Sequence, residues 1–145
     1  MSHVHKFKKI MFCFLVTATT VTATFYSTTS SAPKITGTLT VVANQQYGVK
    51  IEIMRIDQDG SNEYVSSITL NGASYGTCTG GANGCDVYQD CSVNNGGYAL
   101  TQNTITPTSS SVSVELQYTS AVNCCACTYS GVQAYAVARI TLTPS

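Results

Sequence analysis

Cysteine is the residue type in this chain whose spacing carries the most chemistry. Two groups of three lie far apart in the sequence, the first at Cys78, Cys85 and Cys91 and the second at Cys124, Cys125 and Cys127. Clustered thiolates bind zinc in a reducing compartment, whereas an even number of cysteines behind a secretion signal forms disulfides. The choice between these two chemistries therefore depends on whether the chain is exported.

The N-terminal segment has the layout of a secretory signal peptide. Lys6, Lys8 and Lys9 precede an apolar run over residues 10–16, and small residues follow up to Ala32. This order of basic, apolar and small residues is typical of a cleaved leader, and the apolar run is shorter than the ~20 residues of a spanning helix. We predict a signal peptide and short polar tail over residues 1–32, with cleavage between 23 and 32, and a single domain over residues 33–145. An uncleaved signal anchor is the alternative.

Removal of this segment changes which functions the composition allows. Both histidines, His3 and His5, are lost with it, and the remaining chain has four basic and seven acidic residues, a net charge of −3. An acidic surface is a poor partner for nucleic acid or an anionic membrane. A chain without histidine cannot form a Ser-His-Asp or Cys-His arrangement. We therefore expect a secreted, extracellular protein that is not an enzyme, uses no cofactor and binds neither nucleic acid nor membrane after cleavage.

The six remaining cysteines predict three disulfides. The spacing between Cys124 and Cys127 is too short for an unstrained bridge, since bonded cysteines need particular Cα separations and converging Cβ vectors. We therefore expect at least two bridges to join the first group to the second. A vicinal bridge between Cys124 and Cys125 is the strained alternative, and the individual pairings stay open.

Two acidic spots are weak candidates for calcium. Asp57 and Asp59 lie in a turn before Gly60, while Asp86 and Asp90 lie four residues apart within the first cysteine group. Extracellular modules hold calcium with such oxygen ligands at weak affinity. The first spot lacks the spacing of an EF-hand, and an Asp-Gly turn explains it without an ion. We expect no metal, with these two spots as the places to test.

Tyrosine is the only aromatic residue type in the predicted domain, residues 33–145. Three tyrosines lie in or beside the cysteine segments: Tyr75, Tyr88 and Tyr129. Tyrosine among Ser, Gly and Asn is typical of recognition loops, because it offers a large contact area with few rotatable bonds. Together with Asp86 and Asp90 these are the candidate binding residues for an extracellular protein or glycan. The alternatives are tyrosines that only fill half-buried positions and a structural, matrix-type protein with no small-molecule site.

Apolar and polar residues alternate along most of the remaining chain, which indicates β-strands. Residues 47–56 and 112–119 show the pattern most clearly, with Ile51 and Leu116 on predicted inward faces. The other predicted strands cover residues 34–43, 63–70, 73–77, 98–106 and 132–142. Six or seven strands with turns at regular spacing predict an all-β fold, an antiparallel β-sandwich of the immunoglobulin-like or jelly-roll type, stapled by three disulfides.

Overall fold

The computed structural model describes residues 17–27, 34–56, 65–78, 89–90, 100–118, 127–129, 131–134 and 136–145. The described part is all-β. Its strands are β1 (Val21–Ser27), β2 (Lys34–Thr40), β3 (Tyr47–Ile56), β4 (Val65–Leu70), β5 (Ala73–Cys78), β6 (Gln89–Asp90), β7 (Thr104–Ile105), β8 (Ser111–Tyr118), β9 (Cys127–Tyr129), β10 (Val132–Ala134) and β11 (Ala136–Pro144). Within these residues no helix is long and apolar enough to span a bilayer.

The strands form two main antiparallel sheets. The first sheet has the order β1-β11-β3, and the short strands β6 and β7 both pair with the other edge of β3. The second sheet has the order β2-β8-β4-β5, and β9 and β10 form a separate small hairpin. This arrangement confirms the predicted all-β class with antiparallel pairing.

The core lies between the inward faces of the two sheets. Strand β8 alternates along its length, with Val112, Val114, Leu116 and Tyr118 buried and the residues between them more exposed. One cluster of buried side chains joins residues of both sheets, including Ile51 of β3. Each fully buried aliphatic side chain of this kind contributes about 1.5–3 kcal/mol. The predicted inward faces of β3 and β8 are therefore confirmed.

Strand β4 keeps its predicted inward face at Ile68 and Leu70 but differs from it at Ser66. The alternation of the sequence places Ser66 inward, but the structure buries Val65 completely and leaves Ser66 half-buried. The register with β8 shifts between Val65 and Ser67, which marks a β-bulge. An extra residue in one strand shifts the period-2 pattern by one, so the side chains before the bulge exchange faces.

The Asn71-Gly72 pair in the sequence predicts a tight hairpin turn, and the structure confirms it. Asn71 has a φ of 50° and Gly72 a φ of 75°, the two positive values that a type I′ hairpin requires. The Asn71 side chain also accepts a hydrogen bond from the backbone N–H of Ser113, at 2.8 Å. The turn is thereby tied to β8 as well as joining β4 to β5.

Two predicted strands are shorter or divided. The predicted strand over residues 98–106 is represented by β7 and by one isolated bridge between Leu100 and Gly76. The predicted strand over 132–142 is divided into β10 and β11, and Val132 is 38% exposed where the pattern placed it inward.

The first sheet also contains residues N-terminal to the predicted domain start at Pro33. Strand β1 pairs with β11 over seven residues, from Val21 opposite Leu142 to Ser27 opposite Ala136. Val21, Ala23 and Phe25 alternate with polar residues, so this segment satisfies a strand pattern as well as the tail of a leader. Strand β1 thus lies in the sheet on the N-terminal side of the predicted domain start.

Candidate functional site

One end of the sandwich, here called the loop-bearing end, collects the strand ends next to the cysteine segments. The register of the two sheets brings to this end Ser27, Lys34, Ile56, Val65, Cys78, Tyr118 and Ala136. The opposite end holds the connection from β2 to β3, where the backbone N–H of Val42 donates to the Tyr47 hydroxyl at 2.9 Å.

The segments that contain Cys85, Cys124 and Cys125 begin at the loop-bearing end, after Cys78 and Tyr118. Cys91, in contrast, follows Asp90, whose backbone pairs with Glu52 near the middle of β3. Residues 79–88 follow Cys78, whose backbone pairs with Val65, and lead to Gln89, whose backbone pairs with Ile53. Residues 119–126 follow Tyr118 and lead to Cys127, whose backbone pairs with Ala134 just before β11 begins. The described residues at which these two segments begin, Cys78 and Tyr118, thus lie at the same end of the sandwich.

Tyr75 does not belong to a binding surface, in contrast to its predicted role. Its side chain is 2% exposed and packs in the core, and its hydroxyl donates a hydrogen bond to the carbonyl oxygen of Thr104 at 2.9 Å. Burial raises the pKa of this phenol above its ordinary value. Its position on the inward face of β5 explains the difference, because the sequence offered no long alternation there to assign a face.

The other predicted site residues fall into two sets. Outside the described residues lie Tyr88, Asp86, Asp57, Asp59, Cys85, Cys91, Cys124 and Cys125. For the remainder the backbone position is known: Asp90 pairs with Glu52, Tyr129 with Val132, Cys78 with Val65 and Cys127 with Ala134. Within the described part of the chain, no group of three or more His, Cys, Asp or Glu residues is placed to hold a metal ion.

A buried hydroxyl group at the loop-bearing end has no hydrogen-bond partner among the described residues. It belongs to Tyr118, which is 3% exposed and lies at the end of β8. Burial raises the pKa of this phenol far above the ordinary value of tyrosine. A buried hydroxyl that has no partner at all destabilises a fold by about 1–3 kcal/mol. Residues 119–126, which directly follow Tyr118, lie outside the described residues.

A buried carboxylate lies on the outer face of the first sheet, close to β6. Glu52 is 3% exposed; its Oε1 is 2.9 Å from Lys50 Nζ and its Oε2 is 2.7 Å from Arg139 Nε. Val137, two residues before Arg139 on the same strand face, is also fully buried. Part of this outer face is thus shielded from solvent, although alternation in the sequence predicted an exposed polar surface.

A small cleft of about 280 Å³ lies at the opposite end of the sandwich. Its lining consists of Thr17, Thr19, Val21, Thr40, Val41, Val42 and Tyr47. These residues carry no charge, and the Tyr47 hydroxyl already accepts the hydrogen bond from Val42. The cleft therefore has the surface of a shallow apolar depression with a few threonine hydroxyls, and it offers no general acid or base at neutral pH.

The chain was compared with models of protein families, with curated proteins and with solved structures, and none of them matches.

Proposed function

We propose that this protein is a secreted recognition module that binds an extracellular protein or glycan through loops at the loop-bearing end. The observation that carries the proposal is that segments 79–88 and 119–126 both begin at that end, after Cys78 and Tyr118. Segment 79–88 contains Cys85, Asp86 and Tyr88, and segment 119–126 contains Cys124 and Cys125. Tyr129 follows in β9. In immunoglobulin-like sandwiches, loops clustered at one end form the binding surface, and this is the sandwich type that we propose here.

Three disulfides hold these loops in the proposal, at least two of them between the cysteine groups. Cys78 lies two strands from Tyr118, a separation of about 10 Å at ordinary strand spacing. Cys124 lies six residues beyond Tyr118, a length of chain that spans up to about 20 Å. Chain length thus allows the second group to reach the first. A glycine-rich loop needs such crosslinks, because ordering it costs about 1–2 kcal/mol of backbone entropy per residue.

The proposed role is binding and not catalysis. The chain beyond the leader has no histidine, and the cleft at the opposite end has no charged lining residue. The outer face of the second sheet carries exposed Thr36, Thr38 and Ser113, which present hydroxyl groups and no aromatic ring. Large contact groups are thus expected at Tyr88, in segment 79–88, and at Tyr129 of β9, both close to cysteines in the sequence.

A glycan array and a panel of extracellular proteins, both probed with the secreted protein, test this function. We expect Tyr88→Ala and Tyr129→Ala to reduce binding at least tenfold while the melting temperature stays within about 2 °C. Tyr75→Ala is the matched control, since Tyr75 is a core residue and its loss lowers the melting temperature. Retention of full binding in both loop variants would contradict the proposal, and absence of any binding would favour a structural, matrix-type protein.

The crosslinks and calcium have separate tests. Proteolysis without reduction, followed by mass spectrometry, is expected to give peptides that join the 78–91 group to the 124–127 group. Bridges found only within each group, or free thiols, would contradict the crosslinked loops. Full binding in a chelator, with Asp86→Ala and Asp90→Ala harmless, would show that recognition requires no calcium.

A further inference from the structure

Strand β1 is built into the first sheet as an integral edge strand. Its inward residues Val21, Ala23 and Phe25 lie opposite Leu142, Ile140 and Ala138 of β11 and pack against the core. Ser27, at the end of the strand, is buried as well. The contacts that hold β1 are therefore the same period-2 contacts that hold the other strands of the sandwich.

The ring of Phe25 occupies a space that a specific glycine leaves open. Gly37 lies in β2, opposite the inward residue Val114, and a Cβ atom at Gly37 would lie 2.0 Å from Cε1 of Phe25 and 2.2 Å from Cδ1. Real Cβ atoms do not approach other atoms this closely, so no side chain fits at position 37 while the ring is present. The Phe25 side chain of β1, in the first sheet, therefore fills the space that Gly37 leaves in β2 of the second sheet.

Loss of β1 would expose both backbone and core. Strand β11 would keep β3 as its partner on one side and present an unpaired edge on the other, which is a template for aggregation. Loss of the Phe25 ring would leave a void over Gly37 at the side of the core. Such voids destabilise the folded state in proportion to their volume. A cut anywhere in the predicted window of residues 23–32 divides β1 or removes it, and a cut after Phe25 or later also removes the ring that covers Gly37.

We propose that the leader is cut on the N-terminal side of β1, between Ala18 and Thr19. This inference rests on the leader in the proposed function and changes only its cleavage site. Residues 17–20 belong to no strand; Thr17, Thr19 and Thr20 are exposed, and Ala18 is partly buried against the core. Ala18 is the alanine in that stretch, and Val16-Thr17-Ala18 ends on the small residue that a leader peptidase requires. In the hydrolysis, water supplies the hydroxyl to the Ala18 carbonyl carbon and the proton to the Thr19 amine.

Intact mass and N-terminal sequencing of the full-length chain, expressed for export and collected from the medium, test this directly. The expected first residue is Thr19. A mature chain that begins between residues 24 and 33 would overturn the inference and leave secretion in place. A cell-associated product that retains Met1 would overturn the inference together with the leader itself.

A stability measurement on the same secreted material provides an independent readout. Phe25→Asp is expected to lower the melting temperature by more than about 5 °C, and Thr22→Asp, on the exposed outward face of β1, by less than about 2 °C. If Phe25→Asp is not exported, Phe25→Ala replaces it, with an expected loss of at least about 3 °C. Melting temperatures equal to that of the unsubstituted protein for both Phe25 variants would overturn the inference. The mass of each variant is measured as well, because substitutions near a cleavage site can change the cut.

Discussion

The ring of Phe25 in β1 lies directly over Gly37 in β2, so that the first strands of the two sheets meet where one of them has no side chain. This relationship closes the sandwich along one side. It also explains why position 37 is occupied by glycine: the space is filled by the Phe25 ring, and neither a turn nor a positive φ is involved.

Gly37→Ala is expected to destabilise the protein by about 1–3 kcal/mol, because the new methyl group overpacks the Phe25 ring. At an ordinary strand position the same change is neutral or stabilising by up to about 1 kcal/mol. Phe25→Ala alone is expected to cost about 2 kcal/mol, since the ring is only partly buried. In the double variant the alanine at 37 no longer overpacks, so chemical denaturation should give a favourable coupling of about 1–2 kcal/mol. Strictly additive effects would mean that the two residues do not touch.

Removal of two buried tyrosine hydroxyls is expected to change stability in opposite directions. Tyr118→Phe removes a hydroxyl without a partner among the described residues and should stabilise by about 1 kcal/mol. Tyr75→Phe leaves the Thr104 carbonyl without its donor and should destabilise by about 1 kcal/mol. Urea unfolding of both variants checks this. Destabilisation by Tyr118→Phe would indicate that its hydroxyl has a partner in the loop segments.

The same tyrosines predict a loss of stability in alkali. Burial raises the pKa of Tyr118 and Tyr75 in the folded state, so the folded protein holds its phenol protons more tightly than the unfolded chain. Stability is therefore complete below about pH 10, where both states are protonated, and falls as the pH rises above that value. The slope is at most about 1.4 kcal/mol per pH unit for each tyrosine. Tyr118→Phe should reduce this slope between pH 9.5 and 11, and an unchanged slope would contradict the assignment.

The ion group around Glu52 is expected to matter more than a surface pair of equal distance. Arg139→Met leaves a buried carboxylate with one fewer partner and should cost about 1–2 kcal/mol, below the 3–5 kcal/mol of a fully buried pair because Arg139 is partly exposed. Lys34→Met is the matched control: its pair with Glu115 has a distance of 2.8 Å, but both side chains are about half exposed. That control should cost less than about 0.5 kcal/mol. Equal losses would mean that burial of Glu52 has no energetic effect.

Gly72→Ala should destabilise by about 1 kcal/mol although open space surrounds the position, because the φ of 75° is unfavourable for a residue with a Cβ atom. Gly48→Ala is the control, since its nearest neighbour, the Thr143 carbonyl oxygen, would lie 3.7 Å from the new Cβ in ordinary contact. The control should stay within about 0.5 kcal/mol of the unsubstituted protein. Thermal unfolding of the pair separates backbone strain from steric contact.

Much of the fold could be predicted from the sequence, because its strands carry a strong local pattern. The bounds of β3 match the predicted 47–56, and the buried face of β8 is the predicted one. The Asn71-Gly72 turn was equally predictable, since few residue pairs other than Asn-Gly accept two positive φ angles. Such features depend on residues within a few positions of each other.

By itself, the sequence determined the strand periodicity, the turn chemistry and the separation of cysteines into two groups. Only the tertiary structure decided that Val21–Ser27 is a strand of the sheet, that Tyr75 is a core residue and that Glu52 is buried on an outer face. It also decided that segments 79–88 and 119–126 both begin at one end of the sandwich. The physical reason is the same in each case. Burial and pairing depend on residues that are distant in the chain, such as Gly37 beneath Phe25, and a local alternation of apolar and polar residues contains no information about them.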